Sequence, residues 1–184
     1  MQINNKIESY NKIVELNLNR FPEKIFKQGQ QDLIKDFIKK YPAEYYAIRD
    51  KSKAGGVFKL KVTADDLLKE TYGYEKFSIN VSSYNYLKNQ LLVGEIFFTR
   101  DGFVAGTLSK NPSYSVRDAL KNPDYNFKTN IFDKYIDEIP CFDKIYEYVS
   151  KHQLFDIIVE FACFDISVGV NNENIVVYEI RTSY

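Results

Sequence analysis

The chain has 184 residues, 45% hydrophobic and 27% charged, with 25 basic and 25 acidic side chains and a net charge of zero. That is enough chain to bury a core without disulfides, and a neutral total gives no reason to expect nucleic acid or an anionic membrane as partner. Two cysteines, Cys141 and Cys163, and one histidine, His152, form neither a zinc spacing nor a disulfide framework, and leave no basis for a histidine triad.

In chain order, Ile3, Ile7, Tyr10, Val14 and Leu18 fall at three-to-four spacing and predict a helix over 2–19. The N-terminal stretch is polar, unlike a signal peptide, and no apolar run reaches membrane-spanning length, so a reducing cytoplasm is expected. Pro22 holds "RFPEKIF" extended, with Phe21 and Phe26 as anchors, and a second helix is predicted over 30–41, ended by Pro42.

The periodicity then changes. Strands are predicted at 45–49 and 57–62 around a Gly55-Gly56 turn, followed by a helix in "ADDLLKE" with Thr63 as its N-cap. Further strands are expected at 77–81 and 91–99, the latter joined through "RDG" to a strand at 103–108. Residues 109–130 read as loop with a short helix near 116–120. Residues 132–151 read as a helix interrupted near Pro140, and a closing strand pair runs from 156 to 170 and from 175 to 181 around "NNEN". The order predicts an α+β fold with mostly antiparallel sheets and flanking helices.

The neutral total conceals an asymmetry. Residues 1–92 carry 16 basic and 11 acidic side chains, and residues 93–184 carry 9 and 14. "YAIRDKSKAGGVFKLK" (46–61) concentrates Arg49, Lys51, Lys53, Lys59 and Lys61 around the bare glycines. Glycine lets backbone N–H groups approach a phosphate closely, and the cations would neutralise it. Alternation puts Lys59 and Lys61 on one strand face. An ordinary hairpin tip with a charged outer face has the same composition.

In the back half, Glu160 and Glu179 lie on neighbouring predicted strands, as magnesium ligands would, but either also suits a salt bridge. A regular hairpin about 171–174 would place Glu179 opposite about residue 166, not opposite Glu160. Glu95 in "VGEIFF" could contact a ribose or simply be exposed. Arg181 in "EIRTSY" could clamp a carboxylate or phosphate, or bridge to Glu160 or Asp165. Cys141, Cys163 and His152 are assigned to core or surface.

The run "YYAIRDKSKAGGVFKLKVTADDLL", then "FSINVSSYNYLKNQLLVGEIFFTRDG", then "DIIVEFACFDISVGVNNENIVVYEIRTSY", led by "NRFPEKIF", resembles the ATP-binding region of the ATP-grasp family over roughly residues 17–184. The resemblance implies one two-lobed module over 1–184, with an N-terminal helix at 1–19, lobe one at roughly 20–85 and lobe two at roughly 86–184. It implies ATP and Mg²⁺, a nucleotide site of Arg49, Lys51, Gly55, Gly56, Lys59, Lys61 and Glu95, metal ligands Glu160 and Glu179, and Arg181 in a catalytic position. The basic and acidic groups would line opposite walls of one cleft.

The implied function is ATP-dependent ligation of a small carboxylate. The alternative is a catalytically inactive, degenerate domain that binds a protein or an anion. Two departures stand out: Arg49 where the family usually has Lys, and Arg181 where its closing motif has Asn. Little chain precedes residue 20, where the family's substrate-binding lobe is expected.

Overall fold

The computed structural model describes residues 3, 6–50 and 58–182. The chain divides into two compact units, Phe21–Leu87 and Met1–Arg20 with Lys88–Tyr184, called here the small and the large unit.

The small unit is a four-stranded antiparallel sheet of order β1-β4-β2-β3, with β1 at Glu23–Lys27, β2 at Tyr46–Asp50, β3 at Phe58–Val62 and β4 at Lys76–Val81. The segment held extended by Pro22 is thus an edge strand. Helix α2 (Gln31–Lys40) turns Ile34 and Phe37 inward because they recur at helical spacing. They meet Phe26, Tyr46, Ile48, Phe77 and Ile79 in a core rich in aromatic rings, where Phe37 stands edge-on to Phe26 at 5.9 Å between centroids. The helix predicted in "ADDLLKE" is only the single turn α3 (Leu67–Glu70). Thr63 caps the turn ahead of it, accepting the Asp66 N–H and donating to the Asp66 carboxylate at 2.8 Å.

The large unit is a five-stranded antiparallel sheet of order β7-β6-β5-β8-β9. Its strands are β5 (Gln90–Phe98), β6 (Phe103–Ser109), β7 (Tyr125–Asn130), β8 (Ile157–Val168) and β9 (Glu173–Thr182). Helices α1 (Lys6–Glu15) and α5 (Phe142–Lys151) supply Ile13, Ile145 and Val149 to a core shared with Ile96, Phe98, Val159, Phe161 and Val177. Helix α4 (Val116–Lys121) begins at a capping box in which Ser115 and Asp118 satisfy each other's backbone N–H groups.

Two sequence expectations change. The first helix stops at Glu15, because Asn17 takes a positive φ of 49° and the chain turns to bury Leu18 and Asn19. Strand β7 lies inside the stretch read as loop. It is an edge strand with only Phe127 buried, so its alternation carries little apolar signal next to Pro123.

Asn19 ties the large unit together. Its amide donates to the carbonyls of Val168 at 2.9 Å and Ile175 at 2.7 Å, and its side-chain oxygen accepts the Asn171 N–H at 2.9 Å. Its own N–H donates to the Tyr148 hydroxyl at 2.8 Å, and its carbonyl accepts the Val177 N–H at 2.8 Å. This side chain fixes the β8–β9 hairpin at its turn end.

Candidate functional site

Strands β8 and β9 are not a regular hairpin. Val168 faces Glu173, but the next aligned pair is Cys163 with Ile175, so β8 bulges over 164–167. Asn174 bridges the bulge by donating to the Phe164 carbonyl at 3.0 Å. A second shift between Glu160 and Phe161 brings Glu160 opposite Glu179. The register expected from a straight hairpin therefore fails, and the irregularities bring together the two acids that it separated.

On the other side of β8, Glu160 pairs with Glu95 of β5. Glu95, Glu160 and Glu179 thus form one row across three neighbouring strands. The β5–β6 contact beside the row is close. A Cβ on Gly94 would stand 2.1 Å from the Thr107 carbonyl oxygen, so the position requires glycine.

Arg181 lies two residues beyond Glu179 on the same strand face, with Ile158 as its cross-strand partner. Its guanidinium donates one Nη to Glu160 Oε1 at 2.5 Å and the other to Glu95 Oε2. Burial opposes the Arg181 charge, but the Glu95 and Glu160 carboxylates outweigh it and hold the group protonated. Glu160 moves the other way. Burial and then the neighbouring Glu179 carboxylate raise it above the usual glutamate range, and the shared Arg181 offsets this only in part. Glu179 is met by Lys6 of α1 at 3.4 Å, and Asp165 is exposed on the bulge. Beside the row, a cavity of about 310 Å³ opens on the outer sheet face, with Phe97, Phe103, Ala105, Lys128 and Ile158 among its lining residues.

These groups do not fit a magnesium ion as they stand. Hard-cation sites need carboxylate oxygens turned to the metal, and here two of the three carboxylates are turned to a guanidinium. Among the described residues, no group of three or more acidic, histidine or cysteine side chains is placed to hold a metal ion.

In the small unit the cations go to separate partners. The Arg49 guanidinium lies 4.7 Å over the Phe58 ring. Lys61 lies 4.6 Å from the Tyr84 ring centroid and 5.2 Å from that of Tyr45, two rings set edge to face. A hydrogen bond with the Tyr84 hydroxyl raises the Lys61 pKa. Lys59 is bound by Glu70, whose hydrogen bond raises its pKa in the same way. Lys51, Gly55 and Gly56 lie outside the described residues.

Sequence reasoning named Glu95, Glu160, Glu179 and Arg181 and offered an Arg181–Glu160 bridge as one alternative, which the structure has, but it did not bring in Glu95 as a partner of Arg181, nor Lys6, Tyr45 and Tyr84. Glu95 and Arg181 are 86 positions apart, and no local periodicity reports such a pairing. The tyrosines did carry a signal, since Tyr45 opens one predicted strand and Tyr84 follows another in a chain with 15 tyrosines and no tryptophan.

No protein-family model and no curated protein sequence matches the chain. Solved structures do. N5-carboxyaminoimidazole synthetase from Staphylococcus aureus, complexed with ADP, matches with a TM-score of 0.50 at 14% identity, over 97% of this chain and 44% of that one. The corresponding synthase from Aspergillus clavatus gives 0.49 at 16% identity, over 98% and 44%. D-alanyl-alanine synthetase A from Vibrio cholerae gives 0.44 at 14% identity, over 97% and 54%. The chain spans about half the length of these proteins. The first likeness shows an ATP-grasp-like fold. No helix among the described residues is long and apolar enough to cross a membrane.

Proposed function

We propose that this chain is an ATP-grasp-like binding module whose metal-dependent chemistry is closed off by Arg181. In this reading it binds an adenine nucleotide or a related anion without requiring magnesium, and does not ligate a carboxylate by itself. One observation carries the proposal: the Arg181 guanidinium occupies both Glu95 and Glu160.

A divalent ion held about 4 Å from a guanidinium is repelled by about 2 kcal/mol in bulk water and by about 8 kcal/mol at an effective dielectric of about 20. Arg181 is one-third exposed, so the cost lies between these values. Either is enough to shift magnesium affinity by more than tenfold. Arg49 and Lys61 rest on aromatic rings, contacts an incoming phosphate can replace at small cost. They are the cations proposed to receive the anion, with Lys59 held back by Glu70.

The second reading is an ATP-dependent carboxylate ligase. It is favoured by the likeness to a synthetase crystallised with ADP. There Arg181 would swing from the glutamates to a phosphate or carboxylate of the substrates, releasing the row for magnesium.

Titration calorimetry with ATP, with and without magnesium, separates the two. The binding-module reading expects the same modest affinity in both buffers, no ADP release, and an Arg181→Asn variant that gains at least about tenfold (about 1.4 kcal/mol) in magnesium-dependent affinity. Tight magnesium-dependent binding by the unaltered chain, weakened by Arg181→Asn, would overturn it in favour of the ligase.

A further inference from the structure

The outer face of the large sheet is a grid, because residues paired across strands share a face. One row reads Asn126, Thr107, Glu95, Glu160 and Glu179, and the next reads Lys128, Ala105, Phe97, Ile158 and Arg181. Ala105 is the smallest side chain in either row. Phe97 and Lys128 flank it across the strands, and Phe103 and Thr107 flank it along β6. The cavity of about 310 Å³ opens over Ala105, with all four flanking residues in its lining.

We infer that this hollow binds a small aromatic acid, its ring held by Phe97 and Phe103 and its acidic group by Lys128.

The walls select the ring. Phe97 and Phe103 lie 6.5 Å apart between centroids, edge to face at 65°, and aromatic rings favour such packing with a further ring. Phe97 and Ile158 are half-buried and Phe103 is exposed, so a ligand ring seated here takes apolar surface out of water. The volume lies at the small end of the roughly 300–1,000 Å³ found for small-molecule sites, which suits one ring with a short acidic arm.

The polar groups select the acid. Among the described residues, the Lys128 ammonium has no ion pair or hydrogen bond, and the Asn126 amide and Thr107 hydroxyl have no hydrogen-bond partner. Asn126 and Lys128 both project from β7, so an anion at that side of the hollow meets a cation and an amide donor together. Glu95, on the β5 side, repels an anion and directs it toward β7. A ligand amine finds no such welcome, because Glu95 and Glu160 are already neutralised by Arg181 and Glu179 is met by Lys6. The hollow lies on the large unit alone. It needs neither nucleotide nor magnesium, and so stands apart from the reading in which Arg49 and Lys61 receive an anion.

The test is a titration of the full, isotope-labelled chain with sodium phenylacetate, read by amide NMR shifts up to about 10 mM, where a ligand of this size should approach saturation. Shifts are expected at Phe97, Ala105 and Lys128, and none at Arg49 or Lys61. Acetate, which lacks the ring, and benzylamine, which reverses the charge, should leave those amides unmoved at the same concentration. Ala105→Leu fills the hollow from the solvent-facing side of the sheet and should abolish the shifts. Lys128→Gln, at an exposed position that folding does not depend on, should weaken phenylacetate roughly two- to fivefold. Four outcomes would overturn the proposal: no shift with phenylacetate, benzylamine binding as well as phenylacetate, both variants binding as the unaltered chain does, or ATP displacing phenylacetate from the same amides. The last would make the hollow part of a nucleotide site. A chain that binds phenylacetate here and no ATP anywhere would count against the nucleotide reading and leave this site standing.

Discussion

In the large unit, polar side chains are tied to several partners at once: the buried Asn19 to both strands of a hairpin, and the half-buried Arg181 to two glutamates. In the small unit the core is a cluster of aromatic rings, and its cations Arg49, Lys59 and Lys61 stay nearer the surface on ring faces or on one acid, while Asp50 is buried. The difference is one of dielectric and of alternatives. A buried polar group that loses its partners has nothing to replace them, so its geometry is specified. An exposed lysine over a tyrosine can exchange that contact for water or for an anion. By this comparison Glu95 and Glu160 are committed, whereas Arg49 and Lys61 are available, and that is the physical content of the binding-module reading.

The largest effect that would break the comparison is expected at Asn19. Asn19→Ala removes one acceptor and two carbonyl contacts from buried backbone, and should cost about 3 kcal/mol in urea unfolding. A loss below about 1 kcal/mol would mean that the β8–β9 hairpin holds its bulge without this side chain.

A smaller effect, with a definite sign, is expected at Glu160. Its folded-state pKa is raised by burial and by Glu179, so the folded chain keeps a proton that the unfolded chain has already released. Stability should therefore fall as pH rises from the ordinary glutamate value through the raised one. Asp101, Asp118, Asp124 and Asp133 are lowered by hydroxyl hydrogen bonds and act in the opposite sense, so the difference between the unaltered chain and Glu160→Gln isolates the effect. That difference should grow in favour of the Gln variant as pH rises above the ordinary glutamate range and level off once Glu160 is ionised in the folded chain as well. A pH-independent difference would show that Glu160 is not held above its usual range.

The smallest effect is expected at Tyr84. Tyr84→Ala removes one of the two rings under Lys61 and should change stability less than either substitution above, with the remainder screened out by salt. If it rivals Asn19→Ala, the small unit also depends on tied polar groups and the contrast fails.

Much of this architecture is legible along the chain. The alternation in "VGEIFF" and the three-to-four spacing before Pro42 give β5 and α2 nearly at their ends, because burial on one face imposes its period on the sequence. The alternation in "VFKLKV" also marks β3, although its Phe58 and Leu60 are exposed and only Val62 is buried. Strand β7 escapes because one buried Phe127 carries no period. The alignment of Glu160 with Glu179 escapes for a different reason. It depends on two register shifts, and the larger of them, over 164–167, is set by what holds it, Asn19 and Asn174, rather than by the residues that bulge. Candidate site residues could be named one at a time, but the sharing of Arg181 by Glu95 and Glu160 is a three-strand property, visible only once the sheet order is known.

The bonds of Asn19 reach Tyr148, Val168 and Ile175, sequence separations of 129, 149 and 156, while the small unit runs without interruption from Phe21 to Leu87. A chain emerging from a ribosome therefore meets the two halves of this design on different schedules. The aromatic core of the small unit is complete once Val81 and its neighbours are out. The large unit must carry α1 and an unsatisfied Asn19 until β8 and β9 have emerged, because the carbonyls that satisfy its amide lie 149 and 156 positions further on. Its closure joins residues 149 and 156 positions apart, and such long-range pairings form slowly. On arrested nascent chains, protease protection should appear first in the small unit and spread to residues 6–20 only after β9 has been released. Protection of α1 before β8 and β9 emerge would reverse that order.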